Sequence, residues 1–91
     1  MYYQLLEKSG LHPTEFQLVE FVATHQTEGG WCDVPKKIMA EELKVSPSRI
    51  FYLLHSLVVK EFLIKSKRKN NKRRSCFSTT NKWKELFYHE N

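Results

Sequence analysis

The chain has 91 residues, room for one compact domain with a single modest core, and its 41% hydrophobic and 27% charged composition excludes a disordered polymer. The formal charge of +5 is unevenly placed: residues 65–74, KSKRKNNKRR, hold seven of the fifteen Lys and Arg and none of the ten acids, so the other 81 residues net −2. A surface basic all round is excluded, and what stands out is one intensely basic segment on a slightly acidic body.

Residues 2–9 are predicted helical, with Tyr2, Tyr3, Leu5 and Leu6 as apolar positions and Gly10 placed to end the helix. His12-Pro13-Thr14-Glu15 reads as the next helix start: proline suits a first turn, and Thr14 with Gln17 fits a capping box. Phe16, Val19, Val22 and Ala23 share one face of this helix, to about His25, with Leu18 and Phe21 widening its apolar arc. Thr27–Gly30 is a break, and Trp31–Val34 a short strand before Pro35 opens a helix over 36–43, with Ile38, Met39 and Leu43 facing inward. Ser46-Pro47 is a clear helix start, serine as N-cap and proline as first helical residue. The helix runs to about Lys60, with Ile50, Leu53, Leu54 and Leu57 clustered on one side and Ser48, Tyr52 and His55 opposite. Residues 62–65 and 75–78 are strand candidates joined by a hairpin whose tip is Asn70-Asn71, since asparagine tolerates positive φ. Asn81 is placed to cap a last helix, 81–90, carrying Trp83, Leu86 and Phe87.

Several function classes fall away. No run approaches the ~18–20 apolar residues of a membrane helix, and MYYQLLEKSG has no basic region followed by an apolar run, as a secretory signal requires. A cytoplasmic location without a membrane partner is the expectation. Cys32 and Cys76 are too few for a disulfide scaffold and lack CxxC spacing. Two half-buried thiols are expected rather than a metal site, with a Cys32–Cys76 bridge as the alternative should the source be a hyperthermophile. Three glycines form no phosphate-cradling loop, Asp33 is the only aspartate, and His12, His25, His55 and His89 are scattered. Neither a cofactor nor catalysis is expected, and a binding protein remains.

Met39 to Leu53 has the organisation of a helix-turn-helix. Ala40 supplies the small residue that lets two helices cross closely, while Met39, Leu43, Val45, Ile50 and Leu53 supply apolar positions around the turn. The first helix must end in a left-handed residue, and Lys44 occupies that position at an expected cost of ~1–2 kcal/mol. In the second helix, Ser46 and Ser48 can bond phosphates or base edges, and Arg49 can reach guanine bidentately. Tyr52 can bond a phosphate or pack on a thymine methyl, and His55, further along the same face, suits backbone contact. The alternatives are an Arg49 paired with a nearby glutamate, a bare surface Tyr52 and a solvated basic loop. Seven like charges in ten residues repel one another, and phosphates relieve that repulsion. Lys65, Lys67, Arg68, Lys69 and Lys72 suit backbone contacts, while Arg73 or Arg74 suits a narrow minor groove.

With LHPTEFQLVEFV (11–22) and KKIMAEELKVSPSRIFYLLHSLVVKEFLIKSKRKNNKRRS (36–75), the chain resembles the winged helix-turn-helix family, of the MarR transcriptional-regulator type, over about residues 11–80. EGGWCDVP (28–35) is also similar to winged-helix domains of plasmid and phage replication proteins. The resemblance implies a mostly α fold with a small β-hairpin, an α+β class. A three-helix core, a short strand and a two-stranded wing form one domain over 1–91, flanked by terminal helices 2–9 and 81–90. It implies a recognition helix, 46–60, in the major groove of double-stranded DNA and a basic wing, 65–74, on the backbone or minor groove. It also implies a homodimer in which the terminal helices interlock through Tyr2, Tyr3, Leu5, Leu6, Trp83, Leu86 and Phe87; in a monomer both would fold onto the protomer's own first helix. The flanking helices are short for a buried small-molecule effector pocket. Two positions depart from the pattern: Glu61 stands where these families usually carry glycine, and Asn71-Lys72-Arg73 where an acid usually precedes the wing arginine. The expected function is sequence-specific DNA binding in transcriptional regulation. A replication-initiator DNA-binding module and a winged helix for protein–protein contact are the alternatives.

Overall fold

The structure is a computed structural model that describes residues 2–68 and 71–86, with side chains at 4–66 and 76–86. Five helices and one hairpin follow in the order α1 (Tyr2–Ser9), α2 (Pro13–Thr24), α3 (Lys36–Leu43), α4 (Pro47–Val59), β1 (Leu63–Arg68), β2 (Asn71–Thr79) and α5 (Asn81–Glu85). Helices α2, α3 and α4 pack mutually, the hairpin leans on α2 and α4, and α1 lies on α2. The core joins Phe16, Leu18, Val19 and Val22 of α2 to Met39 and Ala40 of α3 and to Ile50, Leu53, Leu54 and Leu57 of α4. Phe62, Leu63 and Phe77 at the hairpin root close it.

Pro13 at the first position of α2 places the N-cap at His12, two residues earlier than a Thr14–Gln17 box would. Thr14 N–H donates to His12 Nδ1 at 3.3 Å, and His12 N–H donates to Glu15 Oε1 at 3.0 Å. The capping box is therefore His12/Glu15. In α3 the inward stripe is Met39 and Ala40, with Leu43 half-buried. Ile38, expected inside, is 42% exposed, because it stands about 200° round the helix from the buried Ala40, off the face that Met39 and Ala40 share.

Helices α3 and α4 end alike. Lys44 has φ 58 and Glu61 φ 69, both left-handed. Val45 N–H then donates to Ala40 O at 3.0 Å and Phe62 N–H to Leu57 O at 2.9 Å, the six-to-one bond of a Schellman turn. Glycine is usual at such positions because it has no Cβ to crowd the preceding carbonyl.

The strand expected at 31–34 shrinks to one residue. Cys32 N–H donates to Phe77 O at 2.7 Å and Phe77 N–H donates to Cys32 O at 3.0 Å; Pro35, without an N–H, then caps α3 and leaves no length for a ladder. The hairpin strands are longer than the expected 62–65 and 75–78. They pair antiparallel from Leu63↔Thr79 to Lys67↔Ser75, and a shift in register follows before Arg68↔Asn71. Backbone hydrogen bonds extend the ladder past the last apolar residue, so hydropathy underestimates its length. Asn71, expected in the tip, belongs to β2; Asn70 lies outside the described residues.

The C-terminal helix is capped by Thr80, not Asn81, which is its first helical residue. Thr80 Oγ1 donates instead to Glu61 O at 2.6 Å, tying α5 to the end of α4. Trp83, expected at a dimer interface, is buried in the protomer's own core, its ring edge-on to Phe16 at 5.0 Å. Leu5, Leu6 and Leu86 are half-buried and pack against the same core. The side chains of Tyr2 and Tyr3, and residue Phe87, lie outside the described ones.

Candidate nucleic-acid interface

Helix α4 is amphipathic by construction. Its stripe of Ile50, Leu53, Leu54 and Leu57 is buried, which turns Ser48, Arg49, Tyr52 and His55 outward together. Ser46 begins the helix: its Oγ accepts Arg49 N–H at 3.1 Å. The serine oxygen is thus spent on the cap, with its hydroxyl hydrogen left for an outside acceptor. Among the described residues Arg49 makes no ion pair, so its guanidinium is available. Tyr52 is 71% exposed. Ser56, on the flank, points back to the core, donating to Glu15 Oε2 at 2.7 Å.

The hairpin root abuts this helix. Lys65 of β1, exposed beside Phe77 in the register, lines a cleft of about 60 Å³ with Lys36, Phe51, Leu54, His55, Val58 and Phe77. Lys36 Nζ sits 6.0 Å from the centre of the Phe77 ring. Of the sequence-derived contacts, Ser46, Ser48, Arg49, Tyr52 and His55 therefore share one helix, with Lys65 adjoining His55 across the cleft. The Lys67, Arg68, Lys72, Arg73 and Arg74 side chains, and Lys69, lie outside the described ones.

Two residues escape the sequence reading. Phe51 is 58% exposed; it falls outside the apolar stripe by helical angle, which is the signal that could have marked it. Glu15 is buried at the start of α2 and accepts from Lys60 Nζ at 3.0 and 3.1 Å, from Ser56 Oγ and from His12 N–H. Burial pushes its carboxyl pKa up, but the bonds from Ser56, His12 and Lys60, with the Lys60 charge, outweigh that and hold it below the ordinary value. Lys82 Nζ adds a bond to Lys60 O at 2.9 Å. The end of α4 is thereby held by α2 and α5 together.

Cys32 and Cys76 are both buried and carry thiols, with no disulfide between them. They flank opposite sides of the β2 backbone, since Cys32 pairs with Phe77, the neighbour of Cys76. Burial pushes the Cys32 thiol pKa up, and Cys76 Sγ donates to Asp33 Oδ1 at 3.7 Å. Among the described residues no three His, Cys, Asp or Glu side chains gather as a metal site needs, and no helix is long and apolar enough to cross a membrane.

No protein-family model matches the chain, and no curated protein does. Solved structures do. S. aureus MepR in complex with DNA superposes at a TM-score of 0.75 with 18% identity, over 93% of this chain and 65% of that one. Lactococcus lactis ZitR, a zinc-responsive MarR family member, gives 0.67 with 24% identity, over 84% and 48%. YusO from Bacillus subtilis gives 0.70 with 20% identity, over 92% and 58%. The chain has the MarR-type winged-helix fold. Within this winged helix, α3 and α4 form the helix-turn-helix and β1–β2 is the wing. The winged helix spans less than two thirds of the length of MepR, ZitR or YusO.

Proposed function

We propose that this winged-helix protein binds double-stranded DNA sequence-specifically as a transcriptional regulator. Helix α4 enters the major groove, and the wing, 65–74, follows the backbone or an adjacent minor groove. The observation that carries the reading is the outward set of Ser48, Arg49, Tyr52 and His55 on α4, beside a hairpin whose sequence holds seven cations and no acid. The set offers what base edges require: a guanidinium with no internal partner among the described residues and short hydroxyls at a helix N-terminus. The likeness in fold to MepR, solved with DNA, supports the same docking.

A homodimer is part of the proposal. Trp83 is committed to the protomer's core, so its contribution to a two-fold contact falls to α1, through Leu5 and Leu6, and to the region after α5. Two recognition helices would then meet half-sites about 34–36 Å apart. Selection of bound duplexes from a random library tests both parts. Recovered sites with a common, two-fold symmetric sequence support the reading; recovery of no preferred sequence contradicts specificity, and asymmetric single sites contradict the dimer.

A further inference from the structure

Phe51 and Tyr52 stand side by side on α4, 58% and 71% exposed, with ring centres 6.4 Å apart at 74°. The core does not need them, since Ile50, Leu53, Leu54 and Leu57 fill the inner face. They are the two aromatics among the large exposed apolar side chains of the described residues, the others being Ile38, Val59 and Ile64. Around the pair the surface is polar and cationic: Ser48, Arg49 and His55 on the same helix, Lys36 and Lys65 across the cleft that Phe51 helps to line. An apolar pair in such a setting fits a partner that is anionic overall and carries small apolar groups at fixed places. The major groove of duplex DNA is such a surface, because its one apolar group is the C5 methyl of thymine. Phenylalanine has no donor or acceptor, so it can bond neither a phosphate nor a base edge; the methyl is the group it can read.

We infer that Phe51, with Tyr52 beside it, reads thymine methyls and so selects thymine-bearing positions in the bound site. The inference rests on the DNA-binding reading above and names what that face of α4 recognises. Arg49 and the serines then supply hydrogen-bond discrimination, while Phe51 supplies an apolar one, worth about fourfold in affinity for each methyl removed from water.

The test uses duplexes selected by the wild-type protein from a random library at low salt. Each is resynthesised with deoxyuridine in place of thymidine, one position at a time, which removes only the methyl. Wild-type affinity should fall about fourfold at one or two positions, and 5-bromodeoxyuridine, whose bromine fills the methyl's place, should restore it. Phe51→Ala should bind the thymine duplex more weakly and lose the thymine–uracil difference, whereas Phe51→Leu, still apolar, should keep part of it. Because Phe51 is exposed, unchanged melting temperatures are expected for both variants. Tight wild-type binding that is indifferent to uracil everywhere overturns the inference and leaves DNA binding standing, as does full discrimination by both Phe51→Ala and Tyr52→Ala. Failure to recover any duplex at low salt overturns the DNA-binding reading, and the inference with it.

Discussion

Glu15 and Lys60 lie 45 positions apart in the chain, yet Glu15 Oε1 is 3.0 Å from Lys60 Nζ. The pair joins the first turn of α2 to Lys60, the residue that caps the end of α4. Ser56 and the His12 N–H complete the same carboxylate, so one buried acid sets both the start of one helix and the seat of another. Lys60, 43% exposed, keeps part of its hydration, which softens the desolvation cost that makes fully buried pairs weak contributors.

Replacing Glu15 by Ala strands the Ser56 hydroxyl and the His12 N–H and should cost about 2–3 kcal/mol at neutral pH. Gln, which keeps one acceptor oxygen, should cost about 1–2 kcal/mol. The acid limb checks the assignment. The native carboxyl pKa is lowered, so its stabilisation is complete above the ordinary carboxylate range and is lost as pH falls through the native value. Urea unfolding between pH 7 and 3 should show a wild-type decline that Glu15→Gln flattens; equal slopes for the two proteins contradict the role.

Lys44 and Glu61 hold left-handed backbone at the ends of α3 and α4. Lys44→Gly and Glu61→Gly should each raise stability by about 0.5–1 kcal/mol, since relief of the Cβ clash exceeds the entropy glycine loses on folding. Thermal melting of the two single variants reads this directly, and a lower melting temperature for either contradicts it.

Specificity and affinity should separate between helix and wing. Arg49→Ala should erase about 1–3 kcal/mol of preference for a selected duplex over a scrambled one. The double variant Arg73→Ala, Arg74→Ala should weaken both duplexes alike and reduce the salt slope by about 2. Competition binding at two salt concentrations distinguishes the outcomes; a uniform loss from Arg49→Ala would remove it from base reading.

Burial raises the Cys32 pKa, so little thiolate exists at neutral pH. Alkylation of the native protein by iodoacetamide should be slow at Cys32 and should follow the unfolding equilibrium in urea. Rapid native labelling contradicts this environment.

Most of the fold is legible in the sequence because it is written in strong local signals. Ser46-Pro47 starts α4 where the structure starts it, and the Ile50–Leu57 stripe is the one that is buried. Lys44 takes the left-handed turn that a helix-turn-helix demands. What escapes depends on partners distant in sequence or on backbone bonds without hydropathy. Glu15 reads as a first-turn acid, and nothing local announces Lys60. The wing strands continue through Lys and Ser, where alternation gives no sign. Trp83 reads as a dimer-interface aromatic on a terminal helix, and only the fold brings Phe16 beside it. The outward face of α4 is legible by elimination, as the side opposite the core stripe; Phe51 is missed because it sits between the two.

Whether the basic wing supplies phosphate-driven affinity beside α4 is tested most directly by the salt dependence of binding. Affinity for a selected duplex should fall with salt so that log K against log salt has a slope near −4.5 per subunit, the value for about five neutralised phosphates. A slope near zero, or no measurable binding to duplex DNA at low salt, contradicts the account.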